Sequence, residues 1–278
     1  VGAALAALPL VLGAPVTPGL APQAAAAQDQ TTLASPQPLP TAQINGVVWD
    51  QTIVGNVVYV VGEFSKARPA GSPKEQNESP RSNAMAYDIT TGELLDWAPQ
   101  LNAAANAIEA SPDGSTLYIG GKFTSVNGQP ASRLAAVDTA GQHKPLNGGT
   151  PGGAVSPNDT VRDLELSPDG STLYMAGLFT QVNDLERLRA AAVDLKTQQV
   201  TNFAPQVDDD SEVRAITVAA DGSAVAIGGS FETVEGSSDA YGMAILEKDG
   251  ALRQTNLTTD IKNAGSMSGI MSLKSDSK

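Results

Sequence analysis

The chain contains no cysteine and a single histidine, His143, among its 278 residues. Without cysteine there is no disulfide, no thiolate metal site and no cysteine nucleophile, and one histidine cannot form a His-rich metal cluster. Basic residues are also scarce, because 17 Lys and Arg stand against 30 Asp and Glu and leave a net charge of −13. Such a chain repels the phosphate backbone, so nucleic acid is excluded as a general partner.

One hydrolase motif and one nucleotide-binding motif are also missing. The chain has neither a Gly-x-Ser-x-Gly nucleophile elbow nor a phosphate-binding loop. What remains is a composition with 41% hydrophobic and 17% charged residues, which is typical of a folded chain and not of an acidic disordered one. The length allows one large domain or two small ones.

The first 27 residues are predicted to be an export signal. They carry no charged side chain, an apolar run covers residues 3–12, and four alanines at 24–27 offer a cleavage site. A spanning helix needs about 20 apolar residues. Four prolines interrupt the stretch, so no transmembrane span is expected in the mature chain: Pro9, Pro15, Pro18 and Pro22.

The basic region that should precede this apolar run is missing, and the chain starts at Val1. We therefore expect a few N-terminal residues to be absent. Residues 28–43, rich in Gln, Thr and Pro, are predicted to be a flexible linker. The expected location is secreted or at the cell surface.

The rest of the sequence is a repeat. Three segments that contain an Asp-Gly turn align without gaps, at 111–123, 167–179 and 219–231, and a divergent copy lies at 55–64. Each ends in phenylalanine, and the four phenylalanines are 59, 56 and 52 residues apart: Phe64, Phe123, Phe179 and Phe231. A second block recurs after each of them, at 83–88, 133–138, 189–194 and 241–246.

Each repeat divides into four short strands. In the second repeat the first three are 107–110, 116–119 and 134–137, with a tight Pro-Asp-Gly turn after the first. The fourth strand is clearest at 94–97 and 200–203. Four-stranded repeats of this kind predict an all-β fold, a β-propeller of four-stranded antiparallel blades, because one blade cannot bury both its faces. The alternative is a β-sandwich or barrel with coincidental spacing.

The repeat also resembles a known type. The pattern Ser-Pro-Asp-Gly-Ser-Thr-Leu-Tyr-Ile-Gly-Gly-Lys-Phe-Thr-Ser-Val-Asn-Gly at 111–128, followed by Arg-Leu-Ala-Ala-Val-Asp at 133–138, resembles the bacterial "delta-sixty" β-propeller repeat. It is similar more broadly to secreted YVTN-like and WD40-like propellers. The resemblance covers about residues 44–278 and implies six to eight blades on an exported protein. It implies no catalytic residue, since the repeat carries no agreed ones.

The last residues begin another copy. Residues 269–273 match a first strand. The turn aspartates Asp113, Asp169 and Asp221 are spaced by 56 and 52 residues, and Asp276 follows Asp221 by 55 residues. We therefore expect 44–278 to be a propeller that is incomplete at its C-terminus, with about four blades and one further strand. The expected arrangement is an open arc with exposed apolar blade faces, or a strained closure of four blades.

The connections between strands predict which face binds. Those at the Asp-Gly turns are tight, whereas the others are long and variable, for example 65–82, 124–132, 180–188 and 232–240. Binding residues concentrate on elaborate loops held by a rigid scaffold. We expect the face with the long connections to be the functional one; the alternative is that these loops merely tolerate insertion.

The densest acidic cluster is the candidate cation site. Asp208, Asp209 and Asp210 lie together with Glu212, and closely spaced carboxylates suit calcium. Asp208, Asp210 and Glu212 are the candidate ligands, although the Asp-x-Asp-x-Asp-Gly spacing is absent. The alternative is a solvated loop. No other cofactor is expected.

Two arginines are the other binding candidates. Arg162 and Arg214 occupy equivalent positions in first strands and are expected to line the central channel, where they would bind a carboxylate or phosphate. The alternative is that they pair with nearby acids such as Asp163 or Glu212. Trp49 and Trp97 are interpreted as packing residues and not as sugar-stacking platforms.

Three functions follow from these observations. The first is an exported, non-catalytic scaffold that binds a protein or a glycan of the cell envelope through its long-loop face. The second is a hydrolase or lyase that uses carboxylates at the propeller axis, which requires the aspartate cluster and the arginines to converge. The third is a calcium-stabilised structural module.

Overall fold

The computed structural model describes residues 41–147, 154–208, 211–255 and 268–276. The predicted signal peptide, most of the predicted linker, and Asp209 and Asp210 lie outside these residues. Ala42 is already buried and Gln43 already pairs in a strand, so the described fold includes the last residues assigned to the linker.

The predicted all-β class is confirmed. Within the described residues the one helical element is the 3-10 turn Ser238–Ala240, and no helix there is long and apolar enough to cross a membrane. The strands are β1 (Gln43–Ile44), β2 (Val47–Val54), β3 (Val57–Glu63), β4 (Lys66–Arg68), β5 (Ser79–Pro80), β6 (Ala84–Asp88), β7 (Ala105–Ala110), β8 (Thr116–Gly121), β9 (Ser125–Val126), β10 (Gln129–Pro130), β11 (Leu134–Asp138), β12 (His143–Lys144), β13 (Val161–Leu166), β14 (Thr172–Gly177), β15 (Gln181–Val182), β16 (Leu185–Glu186), β17 (Ala190–Asp194), β18 (Gln199–Val200), β19 (Val213–Val218), β20 (Val225–Gly229) and β21 (Met243–Leu246).

Four antiparallel sheets, here called sheets I to IV, follow one another along the chain. Their strands pair in chain order: β2-β3-β6 in sheet I, β7-β8-β11-β12 in sheet II, β13-β14-β17-β18 in sheet III and β19-β20-β21 in sheet IV. Single bridges from Tyr87 to Leu94 and from Leu246 to Leu252 add a fourth position to sheets I and IV. All four sheets are open at both edges, so no barrel forms within the described residues.

The fourth strands are shorter than predicted. Only Gln199 and Val200 pair in sheet III, because Phe203 leaves the sheet and packs edge-on against Tyr174 with ring centres 5.2 Å apart. Trp97 does the same against Tyr59 in sheet I, at 4.9 Å. These aromatic residues end the strand because they turn inward to fill the space between two sheets.

Neighbouring sheets share their cores. Three clusters of buried side chains each join one sheet to the next. Tyr118 of sheet II, for example, packs with Leu164 and Met175 of sheet III. Close packing there requires glycine at position 120, since an added Cβ would lie 2.5 Å from a methyl group of Val161. Gly120 therefore marks a close approach between sheets II and III.

The first strands β2, β7, β13 and β19 lie side by side in chain order, and a side chain bonds to backbone at each junction. The Asp50 carboxylate accepts the Ile108 N–H at 2.8 Å, and that of Asp163 accepts the Ile216 N–H at 2.8 Å. Between them, the Asn106 amide donates to the Val161 carbonyl at 2.8 Å. These bonds satisfy backbone groups that face a strand of another sheet.

Residues 268–276 continue this series beyond β19. The Ile270 N–H donates to the Gly229 carbonyl at 3.1 Å, and the Ser275 N–H donates to the Thr217 hydroxyl at 3.2 Å. This segment therefore occupies the place next to β19 that a further first strand would take, although it is not hydrogen-bonded as a strand.

The turn aspartates stabilise their own turns. The Asp113 carboxylate accepts the Ser111 hydroxyl at 2.6 Å and the Ser115 N–H at 3.0 Å, and Asp169 repeats this arrangement. The hydrogen bond from Ser111, followed by that from the Ser115 N–H, lowers the pKa of Asp113 to about 2. Its stabilising effect is therefore present above pH 4 and is lost as the pH falls toward 2.

The long connections are not variable loops. Three of them form the same hairpin, whose central valine is fully buried and pairs with a residue that precedes the first strand of the same sheet: Leu101 with Val126, Pro157 with Val182 and Val207 with Val234. A Phe-x-x-Val spacing after β8, β14 and β20 fixes one buried side chain in each of these hairpins.

One side chain clamps each hairpin. The Asn158 amide oxygen accepts the N–H groups of Thr180 and Gln181 at 2.9 and 3.1 Å, and its amide nitrogen donates to the Thr180 hydroxyl. Asn45, Asn102 and Asp208 bond to the corresponding positions of their own hairpins. We call these four residues the clamp residues.

Replacing a clamp residue should loosen the fold. We expect Asn158→Ala to lower the free energy of unfolding by about 1–3 kcal/mol, because two backbone N–H groups lose their acceptor. Gln181→Ala is the matched control, since that side chain is exposed on the same hairpin. Urea denaturation measures both, and equal stability of the two variants would contradict the clamp.

Candidate binding site

A β-bulge interrupts each of the four first strands. The register shifts at Val48/Asp50 in β2, at Ala105/Ala107 in β7, at Val161/Asp163 in β13 and at Val213/Ala215 in β19. A bulge adds one unpaired residue and redirects its side chain. The four added residues differ in chemistry: Trp49, Asn106, Arg162 and Arg214.

These bulge residues meet in one cavity of about 320 Å³. Its lining is completed by Glu212, from just before β19, and by Met271, from the segment beside β19. We call this cavity the bulge pocket. It brings together side chains from all four sheets, which explains why four copies of one repeat can build a single asymmetric site.

Glu212 holds the two arginines together. Its carboxylate contacts the Nε of Arg162 through one oxygen and lies 3.1 Å from the Nε of Arg214 through the other. The predicted pairing of the arginines with Glu212 is therefore confirmed. Each arginine side chain remains 34% exposed while Glu212 is 12% exposed, so the two arginines are the more accessible charged groups of the pocket.

The interpretation of Trp49 as a packing residue was wrong. Trp49 is 56% exposed at the rim of the bulge pocket. Trp97 is 6% exposed, and its Nε1 donates to the Asp138 carbonyl at 3.0 Å, as a packing residue should. The sequence could not separate the two, because only the position of the bulge turns Trp49 away from the core.

Further along the same strands lies a group of four partly buried carboxyl groups. We call Asp50, Glu109, Asp163 and Glu165 the carboxyl layer. Lys274 is its cation, 3.3 Å from a Glu165 oxygen. Burial raises the pKa of all four carboxyl groups.

Two of these pKa values reach neutrality. Burial raises the pKa of Asp163 to about 7 against the opposing hydrogen bonds from the Ile216 and Leu164 N–H groups. Burial and then the negative charge of Glu165 raise the pKa of Glu109 to about 7. Burial alone would lower the pKa of Lys274, but the charge of Glu165 and its hydrogen bond raise it. Sequence patterns did not single out this layer, because its members come from three different strands: β2, β7 and β13.

Asp208 lies apart from the bulge pocket. As a clamp residue, it accepts the N–H groups of Glu232 and Thr233, both at 2.9 Å. Glu212 belongs to the pocket instead, and Asp210 lies outside the described residues. Among the described residues no three acidic or histidine side chains are grouped so as to hold a metal ion. A calcium site at Asp208, Asp210 and Glu212 remains a prediction.

Comparison with known proteins does not place the chain in a family. No family model matches it, and no curated protein matches it either. Its function is therefore inferred from the bulge pocket, the hairpins around it and the carboxyl layer.

The clamp role of Asp208 leads to a specific expectation. Asp208→Asn should leave the free energy of unfolding within about 0.5 kcal/mol of the parent. The reason is that the clamp residues Asn102 and Asn158 are asparagines and each accepts the two equivalent N–H groups of its own hairpin. Asp208→Ala should cost about 1–3 kcal/mol, since both bonds are lost. Urea denaturation with and without calcium measures this. If Asp208→Asn is as unstable as Asp208→Ala, or abolishes a calcium-dependent gain, the carboxylate has a role beyond the clamp.

The carboxyl layer predicts how stability depends on pH. The folded pKa of Glu109 exceeds its unfolded value, so the folded state binds more protons between about pH 4.5 and 7, and stability falls as the pH rises through this window. Near Glu109, the charges of Asp50, Asp163 and Glu165 add to this effect and Lys274 opposes it.

Glu109→Gln removes one of these titrating groups. We expect it to raise the free energy of unfolding by about 1–3 kcal/mol at pH 8 and to have little effect at pH 5. Glu93→Gln, at an exposed position, is the matched control. Thermal unfolding at both pH values gives the comparison, and a Glu109→Gln variant with the parental pH dependence would show that the layer is not coupled to stability.

Proposed function

We propose that the chain is an exported, non-catalytic β-propeller scaffold that binds a protein or a glycan of the cell envelope. In this proposal sheets I to IV are blades, and the hairpins together with the bulge pocket form the binding face. The observation that carries it is the exposed Trp49 beside Arg162 and Arg214 in one pocket.

The arrangement of the sheets supports the propeller. Each sheet runs from its first strand outward in chain order, and successive first strands bond to one another. Neighbouring sheets pack face to face through shared cores, as blades do. The segment 268–276 beside β19 fits the start of a further blade.

Position along the strands supports the binding face. The clamp residues Asn102 and Asn158 each lie three residues before a first strand, and the bulge residues Asn106 and Arg162 are the second residues of those strands. The clamped hairpins and the bulge pocket therefore lie at the same end of the sheets. A rigid rim around a pocket is suited to binding with little loss of conformational entropy.

The contacts of the charged groups favour binding over catalysis. One oxygen of Asp163 accepts the Ile216 N–H and the other accepts the Leu164 N–H at 2.9 Å. Asp50 is engaged in the same way by Ile108 and Gln51. These oxygens hold strands together, so they are poorly placed to exchange protons with a substrate.

One observation favours a second candidate, a carboxylate-dependent hydrolase or lyase acting at the propeller axis. A general acid must be protonated near neutral pH, and Glu109, whose pKa is raised to about 7, meets that requirement. If this were the function, Glu109→Gln would abolish turnover of a glycoside or polysaccharide substrate. The scaffold predicts no turnover by the parent chain.

Co-sedimentation with isolated bacterial cell envelopes tests the scaffold. We expect the 278-residue chain to sediment with the envelopes, and Trp49→Ala to reduce the bound fraction at least five-fold. Digesting the envelopes with protease or with a glycan hydrolase beforehand distinguishes a protein partner from a glycan.

Lys74→Gln is the control, because that lysine side chain is 82% exposed and lies outside the pocket. Chain that stays in the supernatant under all conditions would contradict the proposal. Turnover of a chromogenic glycoside that depends on Glu109 would replace it with the second candidate.

A further inference from the structure

We propose that the bulge pocket binds a sugar ring that carries one carboxylate, as in a glycan containing uronic acid. This inference rests on the proposed function, because it names the ligand of the same face.

The charge of the lining selects an anion. Arg162 and Arg214 contribute two positive charges and Glu212 one negative charge, so the pocket lining carries +1 in a chain of net charge −13. Glu212 lies against the Nε atom of each arginine, and one terminal nitrogen of Arg214 donates to the Met271 sulfur at 2.9 Å. A planar guanidinium matches the two oxygens of a carboxylate, and a charge-assisted bond of this kind is strong.

The rim of the pocket is suited to a sugar. The exposed Trp49 ring presents a flat apolar surface against which the C–H face of a pyranose can stack. Asn106 donates its amide N–H to the Val161 carbonyl, so its side-chain oxygen is held in a fixed direction and accepts a hydroxyl. An apolar surface with a few fixed polar groups is typical of small-ligand sites.

The size of the pocket restricts the ligand further. A volume of about 320 Å³ is at the lower end of the range for ligand pockets, about 300–1,000 Å³. One or two sugar rings fit, whereas a protein partner would have to bind mainly to the hairpins.

The carboxyl layer limits the charge of the ligand. Asp50 follows Trp49 in β2 and Asp163 follows Arg162 in β13, so two members of the carboxyl layer are the immediate chain neighbours of lining residues. A ligand with several negative charges, such as a polyphosphate or a heavily sulfated sugar, would be repelled by them. A single carboxylate would be neutralised by the two arginines and would not contact that layer.

Isothermal titration with two matched probes tests the inference. The probes are a galactose trimer in which one ring is galacturonic acid, so that it carries a single carboxylate, and the neutral galactose trimer of the same linkage, each titrated into the full chain. We expect the acidic trimer to bind at least ten-fold more tightly than the neutral one, and the difference to shrink as salt is added.

Variants assign the roles of the two groups. Arg214→Gln should weaken binding of the acidic trimer about ten-fold without changing binding of the neutral trimer. Trp49→Ala should weaken both to a similar extent, and Lys74→Gln should change neither. Thermal unfolding confirms that each variant is folded, and Arg162→Gln replaces Arg214→Gln if the latter unfolds.

Equal affinity for the two trimers, no binding of either trimer, or an Arg214→Gln variant that binds the acidic trimer normally would each overturn the inference. Failure here is separable from failure of the scaffold. A chain that sediments with envelopes but ignores both trimers keeps the proposed function and loses the ligand class. A chain that binds the acidic trimer but not the envelopes keeps the ligand class and loses the cellular target.

Discussion

The hydrogen bonds between neighbouring first strands are the interaction on which the other features depend. A carboxylate or amide at a bulge, or at the residue after it, reaches the backbone of the adjacent sheet: Asp50 to Ile108, Asn106 to Val161 and Asp163 to Ile216. These bonds set the spacing of the first strands. They also require polar side chains in a buried region, and the cost of that burial is visible as the raised pKa values of Asp50 and Asp163.

The same bulges create the pocket. A bulge adds one residue to the strand and redirects its side chain. The bulge lets Arg162 line the pocket while Asp163, the next residue, holds the neighbouring strand. The clamp residues fix the long connections as hairpins at the same end of the sheets, which is the end proposed to bind.

The sequence predicted the repeated features and missed the irregular ones. The strand order and the Pro-Asp-Gly turns follow from local patterns that recur, and the all-β class follows from them. The hairpins were missed because buried valines at Val126 and Val182 look like ordinary loop residues without their partners. The exposure of Trp49 depends on a register shift that leaves no mark in composition or spacing.

The candidate site was predicted in part for the same reason. Arg162 and Arg214 were found because they recur at one position, and their pairing with Glu212 was among the expected alternatives. Asp208 stood out through its acidic neighbours but acts as a clamp residue. The carboxyl layer could not be seen, since its members come from three strands that meet only in the folded chain.

Amide hydrogen exchange in an Asp163→Ala variant tests the central claim most directly. The claim predicts that the Ile216 N–H, which loses its acceptor, exchanges at least ten-fold faster than in the parent chain. The Ile108 N–H, held by Asp50 at a different junction, should keep its protection. Unchanged protection at Ile216, or equal loss at both amides, would contradict the role of these side chains in joining the first strands one junction at a time.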